Sequence, residues 1–437
     1  MILRARLLEH LAPWRAASAW RVAFSGGLDS TVLLHLLATL AQGERLPPIS
    51  AIHIHHGLQA AADAWPAHCR AVCEALGVSL DVVYVQVKQQ ASIEQAARDA
   101  RYRAFAETLA HNELLLTAQH RDDQAETLLF RLLRGAGVRG LSAMRPHRPL
   151  GQGYLLRPLL DVPRAELLAY AQREGLCWVE DPSNADQRYA RNYLRQQVMP
   201  MLEQRWPLAA SNMARAAGFL TEAGELLDEL AVADLHAAQA TSVFPWLTVP
   251  ALSLPALRGL SESRQRNALR YWLRPLTRMP DAGHWAGWEA VRDAGPDASP
   301  LWRLDSGEVR RSHDCIWWLG GDWLKAVKRQ EWSVSSAQVL DLPGNGQVVV
   351  EGELGDGNWT VGYRQAGEAM HVLGRGHRDL KRLLNEWRLP VFVRDRLPLL
   401  RKNGTVVALA NRPELRSSSA QSCVIRWIPP TSDQGLS

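Results

Sequence analysis

Apolar and polar segments alternate regularly along the first 200 residues of the chain. Short apolar runs typical of buried strands occur at residues 21–24, 49–56, 80–87 and 114–117. Longer stretches between them predict helices, of which an apolar one at residues 31–40 follows the first strand. Strands that alternate with helices form parallel βαβ units. The pattern therefore predicts an α/β domain built on a parallel sheet.

The composition is that of a globular protein with two or three domains. The chain has 437 residues, of which 47% are hydrophobic and 22% charged, and no apolar run approaches the length of a membrane span. Its five cysteines contain no Cys-x-x-Cys pair, which argues against a disulfide framework or zinc ribbon and favours a reducing cytoplasm. Residues 1–20 lack the apolar core of a secretory signal, so we predict a first helix there.

The polar turn after the first strand has the composition of a phosphate-binding loop. Its residues are Ser25, Gly26, Gly27, Leu28, Asp29 and Ser30. Glycines let backbone N–H groups converge on an anion, and the N-terminus of the next helix adds partial positive charge. Asp29 would repel phosphate unless a cation lay between them, so we predict that Asp29 binds Mg²⁺. The alternative is an ordinary helix N-cap at Ser25 or Asp29.

The same turn lacks the lysine of the P-loop of motor proteins and GTPases. Ser-Gly-Gly-x-Asp-Ser resembles instead the PP-loop of ATP pyrophosphatases, and this resemblance implies that the loop binds the pyrophosphate of ATP. Histidines 53, 55 and 56 lie at the end of the second strand, where we expect them to line a nucleotide crevice. The alternative is that they bind a metal.

A charged face is predicted on the helix that begins near residue 93. Glu94, Arg98 and Arg101 are spaced at i, i+4 and i+7, so they lie on one side of that helix. The face would bind phosphates or position a substrate, or it would be an exposed ion-paired stripe.

Acidic residues cluster after the fourth strand, at Asp122, Asp123 and Glu126. A capping box explains Asp123 and Glu126 structurally. Three carboxylates beside a nucleotide loop also call for cations, either Mg²⁺ or an amine substrate. We predict catalytic roles for Asp29, Asp122, Asp123 and His120, with Asp29 and Asp122 as metal ligands and His120 as a proton acceptor.

Two basic segments are candidates for RNA binding. The first follows the acidic turn 180–186, and its predicted substrate residues are Arg191, Asn192 and Arg195. The second, at residues 360–402, has ten Lys and Arg against four Asp and Glu, an excess of +6 in a chain whose net charge is +5. Its predicted contacts are Arg375, Arg378, Lys381 and Arg382. On charge alone, a solvated helix face explains this second segment equally well.

Several motifs, taken in order, resemble the bacterial tRNA(Ile)-lysidine synthase family. They are Ser-Gly-Gly-Leu-Asp-Ser, His-Ile-His-His-Gly-Leu, Glu-Gln-Ala-Ala-Arg-x-x-Arg-Tyr, Ala-Gln-His-Arg-Asp-Asp-Gln-Ala-Glu-Thr, Arg-Pro-Leu-Leu and Asp-Pro-Ser-Asn followed by Arg-Asn-x-Leu-Arg. The resemblance implies a PP-loop ATP-binding catalytic domain at residues 1–212, a mainly helical middle domain at 213–322 and a small α+β tRNA-binding domain at 323–437. Gln119 departs from the pattern, because many relatives carry a second histidine there.

The resemblance also implies a reaction. ATP and Mg²⁺ would adenylate C2 of the wobble cytidine in an isoleucine tRNA with a CAU anticodon, and L-lysine would then displace AMP to give lysidine. The enzyme would work in the cytoplasm, away from membranes, as a monomer or a homodimer. Rival interpretations are another PP-loop enzyme, such as a tRNA thiolase or an amidating ligase, and a non-catalytic RNA-binding protein. A thiolase needs cysteine pairs that this chain lacks.

Overall fold

The computed structural model describes residues 2–57, 60–87, 93–240, 244–279, 282–295, 298–420 and 422–431. The chain divides into two compact units, Met1–Leu226 and Leu227–Ser437. No helix in the described ranges combines the length and the apolar character that a membrane span requires. Our division into three domains stays a prediction.

The first unit contains six strands and ten helices among its described residues. The strands are β1 (Trp20–Ala23), β2 (Ile49–His55), β3 (Ser79–Tyr84), β4 (Leu114–Leu116), β5 (His147–Leu150) and β6 (Gly153–Leu156). The helices are α1 (Ile2–Leu11), α2 (Leu28–Ala41), α3 (Trp65–Ala75), α4 (Ile93–Thr108), α5 (Arg121–Leu132), α6 (Val138–Leu141), α7 (Arg164–Arg173), α8 (Ala190–Tyr193), α9 (Met199–Arg205) and α10 (Ala209–Ala237), the last of which contains the boundary between the units. A π-helical turn, Leu194–Val198, joins α8 to α9.

The six strands form one sheet in the order β3-β2-β1-β4-β6-β5. All neighbours are parallel except β5 and β6, which form an antiparallel hairpin that the hydrophobic pattern did not predict. Strand β1 is central, and the chain continues to β2 on one side and to β4 on the other. The loops that leave β1 and β4 therefore meet at the carboxyl edge of the sheet, where open α/β sheets bind ligands. The predicted parallel α/β fold is confirmed.

Helix α2 anchors the loop after β1 because it is apolar on nearly every side. Leu33, Leu36 and Leu37 are fully buried and pack in one cluster with Val22 of β1. Burial of each leucine side chain contributes about 2 kcal/mol, so the start of α2 is held firmly against the sheet.

The second unit is rich in strands. Its strands are β7 (Ala251–Ser253), β8 (Leu301–Arg303), β9 (Gly307–Ser312), β10 (Cys315–Gly320), β11 (Trp332–Ser333), β12 (Gln338–Asp341), β13 (Gln347–Gly352), β14 (Trp359–Gly362), β15 (Ala369–Val372), β16 (Gly376–Asp379), β17 (Leu399–Lys402), β18 (Thr405–Leu409), β19 (Arg412–Arg416) and β20 (Cys423–Ile428). Its further helices are α11 (Leu254–Arg258), α12 (Glu262–Leu273), α13 (Trp285–Asp293), α14 (Leu380–Glu386) and α15 (Val391–Arg394).

The described strands of the second unit form four antiparallel sheets. Their orders are β7-β10-β9-β8, β11-β14-β17-β18-β19, β12-β13-β20 and β15-β16. The first sheet lies within the segment that we predicted as mainly helical, beside α11, α12 and α13. Five tryptophans of that segment are buried in hydrophobic clusters, namely Trp285, Trp288, Trp302, Trp317 and Trp318. The tryptophan-rich composition is therefore explained by the core.

Candidate nucleotide-binding and catalytic site

The loop after β1 makes a tight turn that needs glycine at position 26. Gly26 has φ +83°, in the left-handed region. A Cβ atom there would meet Cys69 Sγ at 3.0 Å, and the Gly26 carbonyl accepts a hydrogen bond from the Val179 amide at 2.9 Å. Cys69 therefore packs against the turn, and a backbone hydrogen bond joins the turn to the segment around Val179.

Hydroxyl groups hold the rest of this loop in place. Ser30 Oγ donates to the Gly27 carbonyl at 3.0 Å and accepts from the Ser25 amide at 3.2 Å, while Thr31 Oγ1 donates to the Gly27 carbonyl at 3.0 Å. The N-cap residue of α2 is Gly27, which has no side chain that could bind the first amides of the helix. The N-cap alternative for Ser25 and Asp29 is therefore not realised, and the positive end of a 14-residue helix is left open to an anion.

Asp29 lies in the first turn of α2 with one carboxylate oxygen unsatisfied. Its Oδ2 is 3.7 Å from His120 Nε2, whereas its buried Oδ1 has no hydrogen-bond partner among the described residues and is 4.0 Å from Arg164 Nε. Burial raises the pKa of Asp29; the charge of His120 opposes this shift, and that of Asp123 adds to it. An orphaned carboxylate oxygen beside a phosphate-type loop fits a cation such as Mg²⁺.

His120 begins α5 and shares a capping box with Asp123. The Asp123 amide donates to His120 Nδ1 at 3.4 Å, and the His120 amide donates to Asp123 Oδ2 at 3.2 Å. His120 Nε2 lies 3.5 Å from Asp123 Oδ2 and 3.7 Å from Asp29 Oδ2, so the ring stands between the two carboxylates. The catalytic role of His120 as a proton acceptor stays a prediction.

Arg195 binds the acidic cluster after β4. Its guanidinium donates to Glu126 from Nε at 2.7 Å and from an Nη at 2.9 Å, and to Asp123 Oδ1 at 2.7 Å. Burial raises the pKa of Glu126, and the hydrogen bonds and charge of Arg195 oppose that shift. Glu126 is only 3% exposed, so its carboxylate depends on Arg195 for compensation.

These groups border a cavity of about 860 Å³ at the carboxyl edge of the sheet. The predicted residues that line it are Ser25, Gly27, Leu28, Asp29, Ser30, Arg98, Arg101, Asp123 and Arg195. The predicted residues thus bring the glycine loop, three arginines and two carboxylates around one space. Residues that sequence reasoning did not assign to the site also line it, namely Tyr102, Thr117, Arg164, Trp178, Glu180 and Asp181. The sequence signal that could have identified part of this wall is the adjacent pair of acidic residues Glu180 and Asp181 in the motif Trp-Val-Glu-Asp-Pro-Ser-Asn.

Other predicted site residues do not line this cavity. Asp122 Oδ2 accepts from the Arg164 amide at 3.0 Å and so caps α7, while Arg191 donates to Thr127 Oγ1 at 2.6 Å. The roles of Asp122 as a metal ligand and of Arg191 as a substrate contact stay predictions. Glu94 belongs to α4, but its side chain lies outside the described residues.

The histidines at the end of β2 line the cavity or lie close to polar groups of neighbouring segments. His53 and His56 line the cavity, and His53 Nδ1 donates to the Phe24 carbonyl at 2.9 Å. His55 Nε2 lies 3.3 Å from Asp63 Oδ1. Within the described ranges, no group of three or more His, Cys, Asp or Glu side chains is arranged to hold a metal ion. The crevice interpretation of these histidines therefore agrees with their positions better than a metal site does.

A parallel sheet with an open glycine turn before α2 is the arrangement of an α/β nucleotide-binding domain. The family model of the PP-loop domain matches residues 2–202, the TilS substrate binding domain matches 252–317, and the TilS substrate C-terminal domain matches 359–427.

Curated relatives match along the whole chain. It is 59% identical to the tRNA(Ile)-lysidine synthase of Pseudomonas syringae pv. tomato, over 100% of this chain and 98% of that protein. It is also 59% identical to the tRNA(Ile)-lysidine synthase of Pseudomonas aeruginosa, over 100% and 99% of the two chains. The chain belongs to the tRNA(Ile)-lysidine synthase family and is an enzyme.

Proposed function

We propose that this enzyme joins the ε-amine of L-lysine to C2 of the wobble cytidine in an isoleucine tRNA with a CAU anticodon. The observation that carries the proposal is the cavity of about 860 Å³, which contains both an open phosphate-type loop and the carboxylates of Asp29 and Asp123. The loop suits the polyphosphate of ATP, and the carboxylates suit cations. A ligase that couples ATP to an amine needs both in one space.

The proposed reaction has two balanced steps. The C2 oxygen of cytidine attacks the α-phosphorus of ATP, and pyrophosphate leaves. The lysine ε-ammonium then gives up a proton to a carboxylate of the cavity, and the resulting amine nitrogen attacks C2. The C–O bond to AMP breaks, AMP leaves, and the nitrogen loses a second proton to water. Holding both substrates in one crevice lowers the entropic part of each barrier.

This chain's residues would contribute binding and charge. The N–H groups of the loop and of the first turn of α2 bind phosphate oxygens, and Arg98 and Arg101 neutralise phosphate charge. Asp29 would hold Mg²⁺, which when bound neutralises charge on pyrophosphate. Asp123, the carboxylate of the acidic cluster that lines the cavity, would attract the lysine ammonium.

The remaining parts of the proposal concern the partner and the setting. We assign tRNA binding to the basic segment 360–402 and to the Arg–Tyr cluster at α8. Tyr193 of α8 and Tyr189 directly before it are exposed and able to stack on bases. We place the enzyme in the cytoplasm, and we retain domain limits at residues 212 and 322. A homodimer is part of the proposal only as an alternative to a monomer.

Pyrophosphate exchange tests the proposal as a whole. Purified enzyme with Mg²⁺ should exchange labelled pyrophosphate into ATP only when the CAU isoleucine transcript is added, and lysine should convert that tRNA into a lysine adduct. A CAU methionine transcript is the matched control. Incorporation of sulfur instead of lysine would establish the thiolase alternative, and absence of any ATP turnover would leave a non-catalytic RNA-binding protein.

Replacing Asp123 with asparagine should impair the use of lysine more than the use of ATP. Loss of one charge facing an ammonium ion costs about 1–2 kcal/mol, so the KM for lysine should rise about tenfold while that for ATP changes little. Adenylated tRNA should accumulate. Steady-state kinetics with each substrate varied in turn gives both KM values.

Asp122→Asn is the companion variant, because Asp122 carries the same charge but lies outside the cavity lining. It should leave the KM for lysine unchanged. Equal changes in the ATP and lysine KM values of Asp123→Asn would assign Asp123 to the metal instead. Unchanged KM values with a stability loss of about 1 kcal/mol would reduce Asp123 to a helix cap.

Removing positive charge from the second basic segment should weaken tRNA binding. The four candidate side chains are all exposed, and the shortest ion pair that the described residues form with them joins Arg375 to Glu386 at 2.9 Å. Changing Arg375, Arg378, Lys381 and Arg382 together to alanine should flatten the salt dependence of binding, by up to about 0.8 in log–log slope for each phosphate that is no longer neutralised.

The matched control removes four exposed charges elsewhere in the same unit, at Lys325, Lys328, Arg329 and Arg426. That variant should bind tRNA with a slope close to that of the wild type. If both variants weaken binding equally, net charge and not the segment 360–402 governs affinity. Filter binding across a salt series measures both slopes.

A further inference from the structure

Asn192 forms hydrogen bonds within the protein, whereas the sequence analysis predicted that it contacts the RNA substrate. Its side-chain amide donates to the Ser183 carbonyl at 2.8 Å and to the Asp186 carbonyl at 2.9 Å. An asparagine amide has only two N–H hydrogens, so both are engaged within the protein. The side chain has no donor left for a phosphate or a base.

The acceptors of these bonds belong to one loop, residues 180–187. Gln196 Nε2 donates to the Asn184 carbonyl at 2.5 Å, and Gln187 Nε2 donates to Gln196 Oε1 at 3.1 Å. Carbonyls at three positions of the loop are therefore held by side chains of α8 and of the π-helical turn that follows it. This helical segment, residues 190–198, acts as the support of the loop.

The supported loop forms one wall of the nucleotide cavity. Its residues that line the cavity are Glu180, Asp181, Pro182, Asn184 and Ala185. Directly before them, the Val179 amide donates to the Gly26 carbonyl at 2.9 Å. Movement of the loop away from residues 190–198 would therefore open the cavity and loosen the phosphate-binding turn.

The same support carries Arg195, whose guanidinium binds Asp123 and Glu126. Residues 190–198 thus join the loop wall to the acidic side of the cavity. We infer that Asn192 is a positioning residue that holds loop 180–187 closed over the ATP site. The inference concerns ATP binding alone, so it stands or falls independently of the amine substrate.

Binding measurements on the full-length protein test this role. Asn192→Ala should raise the Kd for Mg·ATP about tenfold, the loss expected for two weakly solvated hydrogen bonds, and leave the Kd for tRNA within about twofold. Isothermal titration calorimetry without lysine or tRNA gives the first value, and filter binding gives the second. Asn192→Gln keeps both N–H donors and should recover most of the ATP affinity if the donors matter.

Arg188→Ala is the matched control, because Arg188 directly follows the loop and is 88% exposed, and its ion pair with Asp186 is at 2.7 Å. It should leave the Kd for ATP within about twofold, since an exposed pair of this kind contributes little. An unchanged ATP Kd in Asn192→Ala overturns the inference. If tRNA affinity falls while ATP binding stays normal, Asn192 contacts RNA and the inference is wrong. Equal losses of ATP and tRNA affinity in Asn192→Ala also overturn it, as does a failure of Asn192→Gln to recover ATP affinity.

Discussion

Replacing Asp29 with asparagine should reduce the rate of ATP-dependent adenylation by about a hundredfold or more, equivalent to a loss of about 3 kcal/mol or more of transition-state stabilisation. Asparagine preserves the shape of the side chain and the start of α2. It removes the negative charge from an oxygen that is buried and has no hydrogen-bond partner among the described residues. Single-turnover adenylation at saturating ATP measures the effect.

The same substitution should not destabilise the ligand-free protein. Burial raises the pKa of Asp29, so its charged form is disfavoured in the fold; a carboxyl group of this kind loses stability as pH rises through its folded pKa. The neutral variant avoids that loss and should have an equal or higher Tm at pH 8. The difference should shrink as pH falls and the wild-type carboxyl becomes protonated.

Asp63→Asn supplies the control, because that side chain is 73% exposed and lies outside the cavity lining. Its activity should equal that of the wild type. Normal turnover by Asp29→Asn at ordinary magnesium concentrations would remove Asp29 from the metal site. A large fall in Tm would instead show that the charge is needed for folding.

Replacing Arg195 with methionine should destabilise the first unit by about 3–5 kcal/mol, because it leaves a buried carboxylate without its partner. Glu126 receives two hydrogen bonds from Arg195 and is 3% exposed. For a unit of this size, the loss corresponds to a fall in Tm of about 10 °C. Differential scanning calorimetry measures it directly.

The pH dependence of this loss has a definite sign. The pKa of Glu126 is already raised by burial, and removing Arg195 takes away the group that opposes the shift. A carboxyl group with a raised folded pKa costs stability increasingly as pH rises above its ordinary value of 4.5. The Tm difference between wild type and Arg195→Met should therefore be largest at neutral pH and decrease toward pH 5.

Arg191→Met is the matched control, since its Nε lies 3.9 Å from Glu126, beyond hydrogen-bonding distance. It should cost much less stability. Combining Arg195→Met with Glu126→Gln should recover part of the loss, because the uncompensated charge is then gone. If the Tm difference between the wild type and Arg195→Met does not change with pH, the loss of stability does not come from the charge of Glu126.

Local patterns predicted the parallel sheet and the loop at residues 25–30. Buried parallel strands are apolar on both faces, so β1 and β4 are recognisable as short apolar runs. The conformation of Gly26 is a local property as well. The hairpin of β5 and β6 was not predicted, because His147–Leu150 is too polar and too short to show a strand period.

The hydrogen-bond partners of polar side chains could not be predicted from the sequence. Asp122 and Asp123 are adjacent and chemically identical, yet one caps α7 and the other lines the cavity. Asn192 and Arg195 belong to one motif, yet Asn192 binds loop carbonyls and Arg195 binds carboxylates. Hydrogen bonding of a side chain depends on what folding brings within about 3 Å, and spacing along the chain does not contain that information.

The sequence by itself therefore determined the class of fold, the phosphate-type turn and the acidic cluster, because these depend on apolar periodicity and on residues close together in the chain. Only the tertiary structure decided which carboxylates face the cavity, that His120 lies between Asp29 and Asp123, and that loop 180–187 forms a wall of the cavity. Those properties arise where β1, β4 and residues 179–198 converge. Their positions follow from strand order and packing, which are set by contacts between residues far apart in the chain.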